Sequence, residues 1–130
     1  MIGKSIYDIL KSDVTVAAIV GTQIYPMRTP QAVDPPFVVY TTIDNEPTDT
    51  KDGSSTLDEI RFDVSMYSDT MTELESLSDA VRRALDRYSG TNKSNVIQTI
   101  IFEAEDNSYS NKAELYNNIQ TFKLRLVRTR

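Results

Sequence analysis

Residues 57–88, LDEIRFDVSMYSDTMTELESLSDAVRRALDRY, decide the fold, because a half-buried strand in them turns directly into an amphipathic helix. Ile60, Phe62, Val64 and Met66 alternate with Arg61, Asp63, Ser65 and Tyr67, the period-two pattern of a strand with one covered face. Leu74, Leu77, Val81, Ala84, Leu85 and Tyr88 then recur at three- and four-residue steps, which places them on one side of a helix. The two apolar faces bury each other, so this unit forms the heart of the fold. Thr70 and Glu73 offer a capping box at the helix start, and Gly90 marks its end. Asp79 is spaced to pair with Arg83 one turn later, a contribution of about 0.2–0.5 kcal/mol.

Outward from this unit the chain alternates short elements with polar connections. Ile6, Ile9 and Leu10 share one side of a helix over 4–11, and Asp13 caps a second turn through Val14–Val20 that Gly21 closes. Ile24–Tyr25 make a brief strand stopped by Pro26. Four of the five prolines lie between Pro26 and Pro36, which predicts an extended surface crossing. Phe37–Ile43 reads as a strand apolar on both faces at its start, and residues 44–56 as a long polar hairpin connection. After the long helix come a strand over 96–105, a polar turn over 106–114 and a last strand over 115–127. In the first of these Val96, Ile100, Phe102 and Ala104 share one face, with Ile97 and Ile101 on the other; in the last, Phe122, Leu124 and Leu126 face inward. The expected architecture is a single α+β domain spanning 1–130. A mostly antiparallel sheet of about four to five strands is packed by one long helix (70–88), with short N-terminal helices.

Composition narrows the function. The 130 residues suit one domain with its own core. Cysteine and histidine are both absent, which excludes a disulfide framework, a cysteine nucleophile and a histidine-based triad. A net charge of −5 argues against a surface built to grip nucleic-acid phosphates. No export signal is evident and no apolar run approaches the ~18 residues of a membrane span.

Tests for chemistry return little. Glu103, Glu105 and Asp106 sit together at a strand end, and Asp44, Glu46, Asp49 and Asp52 crowd the long connection, but neither group has calcium-loop spacing. Both read as solvated acids. Four glycines supply neither a P-loop nor a dinucleotide fingerprint. Arg61–Tyr67 has a superficial likeness to an RNA-stacking strand, yet Phe62 lies on the face the helix covers. The C-terminal run with Lys123, Arg125, Arg128 and Arg130 reads either as charge on an outer strand that discourages aggregation or as a basic docking patch.

Read in order, the segment SIYDILKSDVTVAAIVGTQIYPMRTPQAVDPPFVVYTTI is similar to the start of the bacteriophage tail completion family, also described as tail terminators or tail-to-head joining proteins. The opening helix, the Asp13–Gly21 turn, Ile24-Tyr25-Pro26, Pro30-Gln31 and Pro36-Phe37-Val38-Val39-Tyr40 carry that resemblance. Phe62-Asp63-Val64, Tyr67-Ser68, Glu73, Leu77, Val81-Arg82, Ala84-Leu85-Asp86 and Glu105–Tyr109 continue it. The resemblance implies a non-enzymatic virion part without cofactors, assembled in the host cytoplasm. Its members form a ring, typically hexameric, that caps the head-proximal end of the tail tube. Its partners are the tail tube protein, a head-completion or connector protein, and genomic DNA that passes through the channel without specific binding. On this reading Asp44, Glu46, Asp49 and Asp52 face a partner ring or the channel, and Lys123, Arg125 and Arg128 lie near a subunit boundary. The alternatives are a head-completion connector at the portal and, from another class, a small cytoplasmic enzyme or ligand-binding domain.

Overall fold

Two short helices, α1 (Ile2–Ser12) and α2 (Val14–Val20), open the chain and bury Ile6, Ile9, Leu10, Val16 and Val20. The break between them is written at Asp13, whose extended backbone lets Oδ1 accept from the Val16 amide at 3.0 Å. Gly21, at φ +62°, ends α2, and its amide donates to the Ala17 carbonyl at 2.8 Å. A side chain there would meet open space, so glycine is needed for the backbone angle alone. The computed structural model describes residues 2–21, 23–27, 34–47, 57–92, 95–111 and 114–127.

The remaining elements are β1 (Ile24–Pro26), β2 (Phe37–Pro47), β3 (Leu57–Ser68), α3 (Met71–Leu85), β4 (Gly90–Asn92), β5 (Asn95–Ser110) and β6 (Leu115–Val127). They build a six-stranded sheet in the order β1-β2-β3-β6-β5-β4. The expected α+β class holds, but the sheet has six strands and is mixed, because β1 runs parallel to β2. A connection as long as Met27–Pro36 lets the chain return to the start of β2 instead of reversing in a hairpin. The helices form one layer over one face: α1 lies over β1 and β2, and α3 crosses β3, β6 and β5.

Alternation decides which side chains meet α3. Ile60, Phe62, Val64 and Met66 are 2% exposed or less, as are Leu74, Leu77, Ala80, Val81 and Leu85 of the helix. Each large member contributes about 1.5–3 kcal/mol when fully buried. At the centre, Phe62 stacks on Phe122 at 5.4 Å between ring centroids, and Phe102 meets Phe122 edge-on at 5.7 Å. Arg82 spreads its guanidinium over the Phe102 ring at 4.0 Å and closes that end of the core.

Several boundaries differ from the sequence reading, each for a backbone reason. β2 continues through Pro47, so Asp44 and Glu46 stand in a paired strand, opposite Arg61 and Glu59, and not in the connection. β5 likewise runs on through Ser110 against β6, taking up residues 106–110 that read as a turn. Register shifts between Ile97 and Thr99 and between Phe102 and Ala104 mark bulges that reset the faces. Ile97, Ile100 and Phe102 therefore share the helix side, and Val96, Ile101 and Ala104 take the other, in contrast to strict alternation.

α3 also stops at Leu85, short of Tyr88. Asp86 turns its carboxylate to accept the Phe102 amide at 3.1 Å, and Arg87, at φ +68°, donates its amide to the Ile100 carbonyl at 2.7 Å. The chain is thereby drawn against β5, and Gly90 starts β4 rather than closing the helix. The helix start is a modified capping box. Thr70 Oγ1 accepts from the Glu73 amide at 3.3 Å, while the Glu73 carboxylate accepts from the Ser68 hydroxyl at 2.8 Å. Ser68 Oγ in turn accepts from the Thr70 amide at 3.2 Å, so one serine relays the contact that a capping box makes directly.

Candidate assembly surfaces

The face of the sheet opposite the helices carries the charges that β3 and β6 turn outward. Arg61 Nε donates to Glu103 at 3.1 Å, Arg125 Nε lies 3.6 Å from Glu59, and Thr121 Oγ1 donates to Asp63 at 2.6 Å. These contacts cross from strand to strand and knit the open face. Lys123 stands between Arg61 on β3 and Ile101 on β5. The basic strand is thus central, flanked by β3 and β5, and the outer-strand explanation for its charges is corrected. Arg128 lies outside the described residues, as do Asp49 and Asp52. Asp44 and Glu46 are placed by their backbone in β2, and the acidic and basic candidate groups are not brought together into one site.

The carboxylates at 103–106 also resolve into separate roles. Glu103 holds Arg61 on the open face, whereas Glu105 accepts from Gln120 Nε2 at 3.2 Å on the helix side. Among the described residues no group of three or more acidic side chains is arranged to hold a metal ion.

The most unusual chemistry lies in a polar seam that the sequence reading passed over. Asn118 and Gln120 occupy the helix-facing row of β6, in phase with Phe122 and Leu124, and are 2% and 0% exposed. Gln120 Nε2 donates to the Ser78 carbonyl at 2.9 Å, and Asn118 Nδ2 donates to Asn107 Oδ1 at 2.6 Å. The two carboxamide oxygens, Asn118 Oδ1 and Gln120 Oε1, have no donor among the described residues. Asn117, on the other face, is also buried and donates to the Met66 carbonyl at 3.3 Å. Two amides at 118 and 120, where alternation calls for apolar residues, were the available signal.

This seam opens into a groove of about 270 Å³ on the β5 side of α3, lined by Glu75, Ser78, Asp79, Glu105, Asn107 and Asn118, with Met71 and Leu74. The expected Asp79–Arg83 pair is not among the ion pairs of the described residues. A second hollow of about 310 Å³ lies where α1 meets the end of α3, lined by Asp8, Ile9, Ser12, Asp13, Ala84 and Tyr88. Both are open and shallow, suited to contact with another surface more than to enclosing a small molecule.

Comparison with known proteins bears on what such surfaces meet. The sequence model of the family described as tail completion protein gp17 matches residues 4–126. No curated protein matches. Among solved structures, a chain in the virion of a native gene transfer agent particle superposes with a TM-score of 0.75 at 21% identity, covering 94% of this chain and 91% of that one. At that identity the likeness is one of fold.

Proposed function

The chain belongs to the tail completion protein gp17 family, and on that premise we propose that it forms a ring capping the head-proximal end of a phage tail tube, where it halts tube growth and receives the filled head. Membership makes it a structural protein of a phage tail, carried in the virion, and not an enzyme. The observation that carries the proposal is the family match along nearly the whole chain. The fold shared with a chain of a gene transfer agent virion supports a place within a particle.

The architecture is suited to that role. A ring of identical copies needs two different patches on each copy that meet head to tail. The sheet supplies unlike edges, with β1 and its covering α1 on one side and β5 and β4 on the other. A net charge of −5 favours passage of DNA past the ring without adhesion. In this reading Asp44, Glu46, Asp49 and Asp52, at and beyond the end of β2, face a partner ring or the channel. Lys123, Arg125 and Arg128 lie near a subunit boundary, which Lys123 and Arg125 reach from the open sheet face.

The test is to mix the purified chain with tail tubes and, separately, with portal complexes. The proposal expects binding at tube ends and a native mass that is a multiple of the chain. Binding to portals alone indicates a head-completion connector and overturns it. Reversing the four acids to lysine is expected to lower head attachment while leaving the fold intact by circular dichroism. Normal infectious particles from that variant refute the assignment of the acidic segment.

A further inference from the structure

The proposed ring leaves open which patches meet, and the polar groove names one of them. Resting on that reading, we infer that the groove on the β5 side of α3 is a socket for Lys4 and Lys11 of the adjacent copy's α1. Glu75, Asp79 and Glu105 line the groove, and among the described residues no lysine or arginine lines it with them. Asn118, also in the lining, is 2% exposed and its Oδ1 lacks a donor among the described residues. A buried acceptor without a partner costs the fold its desolvation penalty, which a donor brought in as a copy docks relieves. The carboxylates and the amide oxygen all call for the same thing, a cation rich in N–H groups.

The opposite edge of the molecule carries such groups. α1 lies over β1 and β2, at the far side of the sheet from β5. Lys4 and Lys11 are exposed on it, away from the buried stripe of Ile6, Ile9 and Leu10. Seven residues of helix return to nearly the same side, so the two ammonium groups project together, about 10 Å apart along the axis. Lys11 rests 5.7 Å from the centre of the Tyr7 ring, and neither lysine forms an ion pair among the described residues. With Asp8 between them, Lys4 and Lys11 leave α1 with a net positive charge against the three acids of the groove, a complementarity suited to a head-to-tail contact that closes by rotation. Arg82 is a poorer partner because Phe102 already holds it.

Charge exchange tests the assignment, read by sedimentation and native mass spectrometry of the full chain, alone and on tail tubes. Glu75→Lys with Asp79→Lys, and separately Lys4→Glu with Lys11→Glu, should each raise the concentration for half-assembly by about tenfold or more. All four changes on one chain should restore assembly, because the socket and its occupant are then reversed together. The neutral pair Glu75→Gln and Asp79→Asn should weaken assembly less than the reversals, and it serves if the lysine variant fails to fold. Reversal or neutral variants that assemble as the wild type does overturn the socket and leave the ring standing. Losses that the fourfold variant does not repair overturn the pairing of α1 with the groove. A wild-type chain that never self-associates, even on tube ends, overturns the ring and the socket together.

Discussion

Phe122→Ala probes the centre of the helix–sheet interface, where one ring joins three strands. Phe122 is 0% exposed, stands opposite Phe62 on β3 and Phe102 on β5, and touches both rings. Truncating a buried phenylalanine costs about 3–5 kcal/mol through lost transfer energy and the cavity left behind. Two aromatic contacts, each adding about 0.5–1.5 kcal/mol beyond area, place this site in the upper half of that range. With a total stability of about 5–15 kcal/mol for a domain, such a loss removes a large share. Urea unfolding followed by circular dichroism should show a lower midpoint with an unchanged slope, which assigns the loss to stability and not to the compactness of the unfolded chain. Lys123→Ala, the next residue on the same strand but on the open face, should stay within about 0.5 kcal/mol of wild type. If the two variants unfold at similar urea concentrations, the assignment of faces in β6 is wrong and the packing argument fails with it.

Three further outcomes are expected. Thr70→Ala should cost about 1 kcal/mol by loss of the α3 cap, and adding Ser68→Ala should cost less than the sum of the single changes, since both belong to one network; thermal melts of the double-mutant cycle check this. Arg125→Ala should change stability by well under 1 kcal/mol, because its pair with Glu59 is partly exposed, and what effect there is should shrink in high salt. Burial, and secondarily the charge of Tyr7, raises the pKa of Tyr40, so the unfolded chain loses its phenolic proton first. Stability should therefore be intact below the usual tyrosine pKa of about 10 and fall as pH rises beyond it. Tyr40→Phe should flatten that decline in unfolding experiments run through the alkaline range.

How far the fold could be read in advance depended on whether side-chain pattern or backbone geometry set each feature. β3 was legible because an unbroken alternation runs through it, with every in-phase apolar residue from Ile60 to Met66 buried, and β6 was legible from Phe122 onward, where the same alternation holds. β5 was not, because bulges at Gln98 and Glu103 each insert a residue without a chemical signature and reverse the faces beyond them. The polar ends of β2 and β5 read as connections in the sequence, since their ladders are made by main-chain groups, to which Asp44 or Asn107 is no obstacle. The end of α3 followed a long-range bond from the Phe102 amide to Asp86, which local spacing cannot reveal. Among candidate site residues, the open-face charges were visible, but their neutralisation by Glu59 and Glu103 depended on strand order.

The polar seam shows why sheet order matters for function as well as fold. Asn118 and Gln120 interrupt a row that Phe122 and Leu124 fill with apolar contact, and each leaves a buried oxygen without a donor among the described residues. In a chain that worked alone, leucine at either position would bury more apolar surface and leave no oxygen unpaired, so the amides are a cost to the isolated fold. That cost has a rationale if the acceptors are completed when copies meet, and their position agrees with this. The seam opens beside β5, across the sheet from the β1 and β2 that α1 covers, and Lys4 and Lys11 of the same copy do not line it. On the proposed reading, a surface that a second copy completes favours association over solitary stability, the balance that a ring would need from its subunits.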